Sequence, residues 1–219
     1  GNLKISANGI GYYLEPSSMR GLSGTIKIDD GQAIGIFGGN GSNIDIQAPM
    51  IFEVGDINSS ILNPLGSFGI VGKDGTNILN SGEIKVGNGS VGIYETDSVV
   101  KNFGRLVSSG SSINENSVRV MIYGNKGGNI INESTGFIDA GDFGVGIYEN
   151  GKNYLLTIPS VENRGVIKAG DSYYDPVSGN EFHSIGIYGE ASSIKNMTAS
   201  SQITVGTGGI GIYSYNPSG

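Results

Sequence analysis

Apolar positions in this chain come in short bursts, and the bursts follow a fixed cycle of three. The first burst is an aliphatic residue, Gly, Ile and an aromatic. It stands as Val91-Gly92-Ile93-Tyr94, Val145-Gly146-Ile147-Tyr148, Ile185-Gly186-Ile187-Tyr188 and Ile210-Gly211-Ile212-Tyr213. Looser copies are Ile10-Gly11-Tyr12-Tyr13, Ile34-Gly35-Ile36-Phe37, Phe68-Gly69-Ile70-Val71 and Val120-Met121-Ile122-Tyr123. Eight copies at a nearly constant period mark a solenoid or an array. Alternation along a strand predicts that the residues before and after the Gly point inward, with the Gly and the aromatic on the outer face.

The second burst is an apolar residue, any residue, then usually Asn: Ile78-Leu79-Asn80, Val100-Lys101-Asn102, Ile130-Ile131-Asn132, Val161-Glu162-Asn163 and Ile194-Lys195-Asn196. Met19-Arg20-Gly21 and Ile44-Asp45-Ile46 are its earlier versions. The Asn shares the inward face with the apolar residue two before it. A column of buried amides is therefore predicted, each satisfied by the amide one turn above or below. Asn also tolerates the left-handed backbone that corners require.

The third burst is apolar-x-apolar, as in Leu3-Lys4-Ile5, Ile26-Lys27-Ile28, Phe52-Glu53-Val54, Ile84-Lys85-Val86, Ile167-Lys168-Ala169 and Ile203-Thr204-Val205. Its middle residues are mostly charged, as a solvated face should be. Gly/Asn/Ser-rich stretches separate the bursts, and no window carries a helical period. The pattern predicts an all-β protein: a right-handed parallel β-helix of three strands per turn and about seven turns, roughly 34 Å tall at ~4.8 Å per turn. Val91, Ile93, Ile84 and Val86 are predicted buried and Lys85 exposed. A globular antiparallel β-sandwich is the alternative, but it would not need the same residues at matching positions in every turn.

Corner lengths vary. The corner from the third burst back to the first is short at 88–90, 142–144 and 207–209. It is long at Asp56 to Ser67, Ser111 to Arg119 and Asp171 to Ser184. These three inserts occur in alternate turns, so their bases should line one edge of the rod about 10 Å apart. On a different corner, Glu149 to Ser160 is expanded.

Composition narrows the possibilities. The 39 glycines lack a G-X-Y period, which excludes collagen, and the aliphatic content argues against disorder. A net charge of −7 disfavours nucleic acid and anionic membrane surfaces as partners. With no cysteine there is no disulfide and no thiolate metal site. No apolar run is long enough to span a bilayer, and no signal peptide opens the chain. The chain begins and ends in mid-repeat. It is expected to be a single β-helical segment, 1–219, of something longer.

Candidate chemistry is sparse. Gly87 to Gly92 and Gly206 to Gly211 match G-x-G-x-x-G, but a strand follows each where a dinucleotide site needs a helix, so no cofactor is expected. His183 lies near Ser184, Asp175 and Glu181 without a nucleophile elbow, so no catalytic residue is assigned. Asp29-Asp30, Asp139 with Asp142 and Asp171 with Asp175 fall in different turns without a shared column or a facing Lys or Arg. They read as turn caps rather than metal ligands. The Tyr column reads as an aromatic ladder covering the Gly column. The sequons at Asn40, Asn58, Asn88, Asn132 and Asn196 read as chance. Tyr173 and Tyr174 differ, because no repeat demands them. With Phe182, His183 and Arg119 they are the candidate ligand-binding residues of the insert edge.

The G-I-Y strand, the following N-x-G-x-I-x-x-G (Asn80 to Gly87, Asn163 to Gly170) and the lack of Cys resemble the passenger regions of large type V autotransporters. The likeness is greatest to fusobacterial outer-membrane adhesins. That resemblance implies secretion, tethering at the outer membrane through a translocator barrel outside this segment, and binding to a host cell-surface protein or glycan or to a partner bacterium. It carries over no binding residue. A polysaccharide-cleaving β-helix enzyme and a purely structural stalk are the other expectations.

Overall fold

The computed structural model describes residues 1–29, 31–56, 66–110, 118–152, 158–174, 176, 179 and 181–216. Among them there is no helix. The three bursts form three parallel sheets, and the chain cycles through them in a constant order. The motif strands, such as Val91–Thr96, Val120–Asn125 and Val145–Asn150, make an eight-stranded aromatic sheet. The Asn strands, such as Asn77–Asn80, Val99–Asn102 and Asn129–Asn132, make a seven-stranded asparagine sheet. The third strands, such as Ile51–Val54 and Glu83–Val86, make an eight-stranded charged sheet. Each strand pairs with its copy one turn on, which gives a parallel β-helix of three strands per turn. Val145 pairs in parallel with Ile185 and Tyr148 with Tyr188, which excludes the antiparallel sandwich.

The register explains the sequence columns. Ile26, Phe52, Ile84, Leu106, Ile138 and Ile167 stack from turn to turn, and all are buried in one core with Ile36, Ile70, Ile93, Ile122 and Ile147. Ile84 and Val86 are buried in the core as expected. Val91 is buried too, but its column, before the motif Gly, does not point into the core as predicted: Ile34, Phe68, Val120 and Ile185 are partly exposed, and Phe68 packs edge-on against the outer-face Tyr94. Lys85 is partly exposed on the outer face, 3.5 Å from Glu53 one turn below. An exposed pair of this kind contributes little beyond solubility.

The amide column forms as predicted. Asn80 donates to Asn102 at 2.8 Å, Asn102 to Asn132 at 2.9 Å, Asn132 to Asn163 at 2.9 Å and Asn163 to Asn196 at 2.8 Å. The first four are fully buried and Asn196, in the last turn, is exposed. None of the five has a left-handed backbone. Among non-glycine residues that conformation falls instead in the corner after the aromatic strand, at Asn40, Asp74, Asp97, Lys126 and Ala191, and in the corner before it, at Asn8, Gln32 and Phe143.

The orientation of the motif Gly differs from expectation. The register runs Val91 with Val120 and Ile93 with Ile122, passing over Gly92 and Met121. At this unpaired position the backbone turns, and a Cβ on Gly92 would face the core, 3.0 Å from Val86 and 2.6 Å from the Met121 carbonyl. The Gly column is therefore buried, not displayed beside the aromatics. Met121, its one substitute in the eight motif copies, packs fully buried in the core. On the outer face the rings do stack as a ladder. Tyr94–Tyr123, Tyr123–Tyr148, Tyr148–Tyr188 and Tyr188–Tyr213 have centroids 5.4, 4.8, 4.6 and 5.1 Å apart.

Candidate functional site

The three inserts leave from the corner between the charged and aromatic sheets: after Ile51–Val54, after Arg105–Ser108 and after Val166–Ala169. The turns between them have short corners, so the alternation expected from the sequence is present. Residues 57–65 and 111–117, most of the first two inserts, lie outside the described residues, as do Asp30, Asp175 and residues 153–157.

The bases of the first and third inserts are held by small polar side chains. Ser67 and Ser184 are buried directly before their aromatic strands, and Ser90 holds the same place in a turn with a short corner. Each hydroxyl donates to a carbonyl of the corner: Ser67 to Asp29 at 2.6 Å, Ser90 to Gly55 at 2.7 Å and Ser184 to Asp171 at 2.7 Å. The corner aspartates also share a column, contrary to expectation. Asp56 accepts from the Asn88 amide at 2.6 Å, Asp142 from the Asp171 amide at 2.8 Å and Asp171 from the Thr207 amide at 2.6 Å. Each carboxylate thus caps the corner one turn on. This is the turn-capping role read from the residue type, extended between turns. Asp29 does have a basic neighbour, since Lys4 lies 3.2 Å away.

Arg119 occupies the column position of those serines, and it is buried. Its guanidinium donates to Ser108 Oγ, to the Gly110 carbonyl at 2.8 Å and to the Asp142 carbonyl at 2.8 Å. It therefore joins two turns and closes its own corner, and it offers no cation at the surface. A charged residue type suggested exposure; the signal against it was the alignment with Ser67, Ser90 and Ser184.

The other four candidates do come together. Tyr173–Tyr174 and Glu181–Phe182 form a small antiparallel hairpin, with Tyr173 opposite Phe182 and Tyr174 opposite Glu181. The Tyr173 ring meets Phe143 edge-on at 6.0 Å, so the insert folds over the short corner of the turn below. Tyr174 remains 57% exposed. His183 is exposed and its Nε2 lies 3.3 Å from the Glu181 carboxylate. Ser184 is held by Asp171 and by the Phe143 amide, not by His183, so no nucleophile–base contact exists there.

Other surfaces offer less. Stacked rings hide one another's faces, so the inner rings of the Tyr column, Tyr123, Tyr148 and Tyr188, present only edges, whereas a sugar stacks on a face. Asn132 is fully buried and Asn88 nearly so, which leaves neither sequon open to a glycan. A groove of about 440 Å³ beside the first insert is lined by Lys27, Asp29, Glu53, Asp56, Lys85 and Ser109. Its carboxylates come from adjacent turns, but each already has a partner: Lys4, Lys85 and the Asn88 amide. No cluster of three or more His, Asp and Glu is placed to hold a metal among the described residues.

Sequence reasoning also missed a buried acidic pair, Glu95 and Glu149, at the inner end of the aromatic strands. The signal was available, because each stands two residues after an inward Ile. Comparison with known proteins finds no matching family model, no matching curated protein and no matching solved structure.

Proposed function

We propose that this chain is a stretch of a secreted bacterial surface adhesin of the autotransporter type, a β-helical stalk that holds corner loops away from the outer membrane. The observation that carries this reading is the pairing of Tyr173–Tyr174 with Glu181–Phe182. It belongs to an insert that the repeat does not need, anchored on Phe143 and by Ser184, and it displays Tyr174 to solvent. Exposed aromatics on a braced loop are the usual anchors of protein and glycan recognition. The ligand docks on the insert edge through Tyr173, Tyr174, Phe182 and His183, with Arg119 as the brace beneath it. The partner is a host cell-surface protein or glycan, or another bacterium.

The test is to shorten the Asp171 to Ser184 corner to three residues and measure cell binding by the folded variant. Loss of binding supports the insert edge. Full binding moves the site elsewhere, with Glu149 to Ser160 the next loop to remove. If the segment never binds alone, it is a stalk. The charged groove favours a second reading, a glycan-cleaving enzyme, and release of reducing ends from acidic polysaccharides would support that reading instead.

A further inference from the structure

The last inward position of the aromatic strands is Gly38, Gly72, Glu95, Gly124, Glu149 and Gly189 in successive turns. A carboxyl thus recurs in alternate turns with glycine between. Glu95 and Glu149 are both fully buried. A methyl group on Gly124 would overlap Glu149 Oε2 and lie 2.7 Å from Glu95 Oε1, so the two carboxyls meet in the space that this glycine leaves. The Ser98 amide donates to Glu95 Oε2 at 3.0 Å. Glu95 Oε1 and both oxygens of Glu149 have no donor among the described residues.

Charges on the surrounding elements do not neutralise the pair. Lys73 and Asp74 below it, Asp97 on its own corner and Lys126 above it are all exposed. Lys152 pairs with Glu190 at 3.2 Å. Tyr94, Tyr123, Tyr148 and Tyr188 lie on the outer face as a stack of phenols. No ion pair among the described residues includes Glu95 or Glu149. Two carboxylates in one dry space cannot both stay ionised.

We propose that Glu95 and Glu149 hold at least one proton between them at neutral pH, a carboxyl hydrogen bond that latches alternate turns of the rod and opens when the proton leaves. Burial, the larger cause, pushes Glu95 up to about 8, and burial with the facing Glu95 carboxylate pushes Glu149 up to about 9. The proton belongs to the pair rather than to either residue. Because these groups bind protons more tightly folded than unfolded, the latch stabilises fully below the ordinary carboxyl range. Its contribution falls as pH rises and is gone above about 9. Glu149 opens the corner that leads to Ser160, so deprotonation loosens the base of that loop.

The experiment compares thermal melting of the wild type, Glu95→Gln and Glu149→Gln at about pH 5.5 and about pH 9.5, each with calcium and with a chelator, alongside carboxyl-carbon NMR of the glutamate-labelled wild type. The latch requires one carboxyl resonance to stay in its protonated position beyond about pH 7. It also requires a wild-type Tm loss at high pH exceeding that of Glu149→Gln by more than about 3 °C. Titration of every Glu in the ordinary range overturns it. So does a calcium-dependent Tm rise that Glu149→Gln abolishes, which would make the pair a cation site. If the variants do not fold, the wild-type resonances alone decide.

Discussion

The Asn132 side-chain amide donates to the Asn163 side-chain carbonyl at 2.9 Å, and both side chains are fully buried. Asn132 also accepts from Asn102 at 2.9 Å. Asn132→Leu therefore leaves one buried donor and one buried acceptor without their ladder partner. We expect a loss of about 2 kcal/mol, seen as a fall of roughly 6 °C in Tm. Asn196→Leu, at the exposed end of the same ladder, should change Tm by less than about 2 °C.

The motif Gly and its one substitute make a second comparison. A Cβ on Gly146 would stand 2.5 Å from the Gly186 carbonyl and 2.9 Å from Ile167, so the backbone must shift. We expect Gly146→Ala to cost about 1–3 kcal/mol in denaturant unfolding. At the equivalent position, Met121→Ala removes a fully buried side chain and should cost about 2–5 kcal/mol. A neutral Gly146→Ala would contradict the inward reading of this column.

Much of this fold was legible because a parallel β-helix repeats its environment every turn. Ile84, Leu106 and Ile138 share one column in space, so they share one residue type in sequence. The same repetition made the Asn ladder visible. What escaped notice was wherever strict alternation or residue type misleads. Gly92 turns inward because it lies at an unpaired position where the strand bends. Arg119 is buried because three oxygen acceptors surround it, which no rule about charged residues anticipates. The inward period marks Glu95 and Glu149 singly, but their meeting across two turns shows only in space, at the glycine between them.

Arg119 gives a prediction that separates bracing from binding. Arg119→Ala removes hydrogen bonds to Ser108, Gly110 and Asp142. Stability should fall by about 2–3 kcal/mol, measured by urea unfolding. Any loss of cell binding should then track unfolding and disappear on cooling. A stable Arg119→Ala protein with no binding would make Arg119 a direct contact after all.

The tyrosine ladder should be visible by absorbance. Burial first, then neighbouring phenols and Glu190, push Tyr148 up to about 12, and burial likewise raises Tyr123 and Tyr188. These groups ionise more readily unfolded, so their stabilising contribution is intact below about pH 10 and lost as pH rises towards about 12. We expect a late phenolate step that coincides with loss of β-sheet circular dichroism. Tyrosines that all titrate together near pH 10, before any unfolding, would refute a half-buried ladder.

Because every ladder joins a turn only to the turn above and below, the hydrogen bonds of all three sheets run along the axis of the rod. A load applied along that axis pulls on one interface at a time, so the rod should yield by peeling successive turns rather than by breaking at once. Each released turn of ordinary length frees roughly 75 Å of chain. Single-molecule pulling should then show a sawtooth of that spacing, and a single rupture would exclude it. A rod built this way lengthens under load and rewinds when the load drops, behaving as a spring of many short stages.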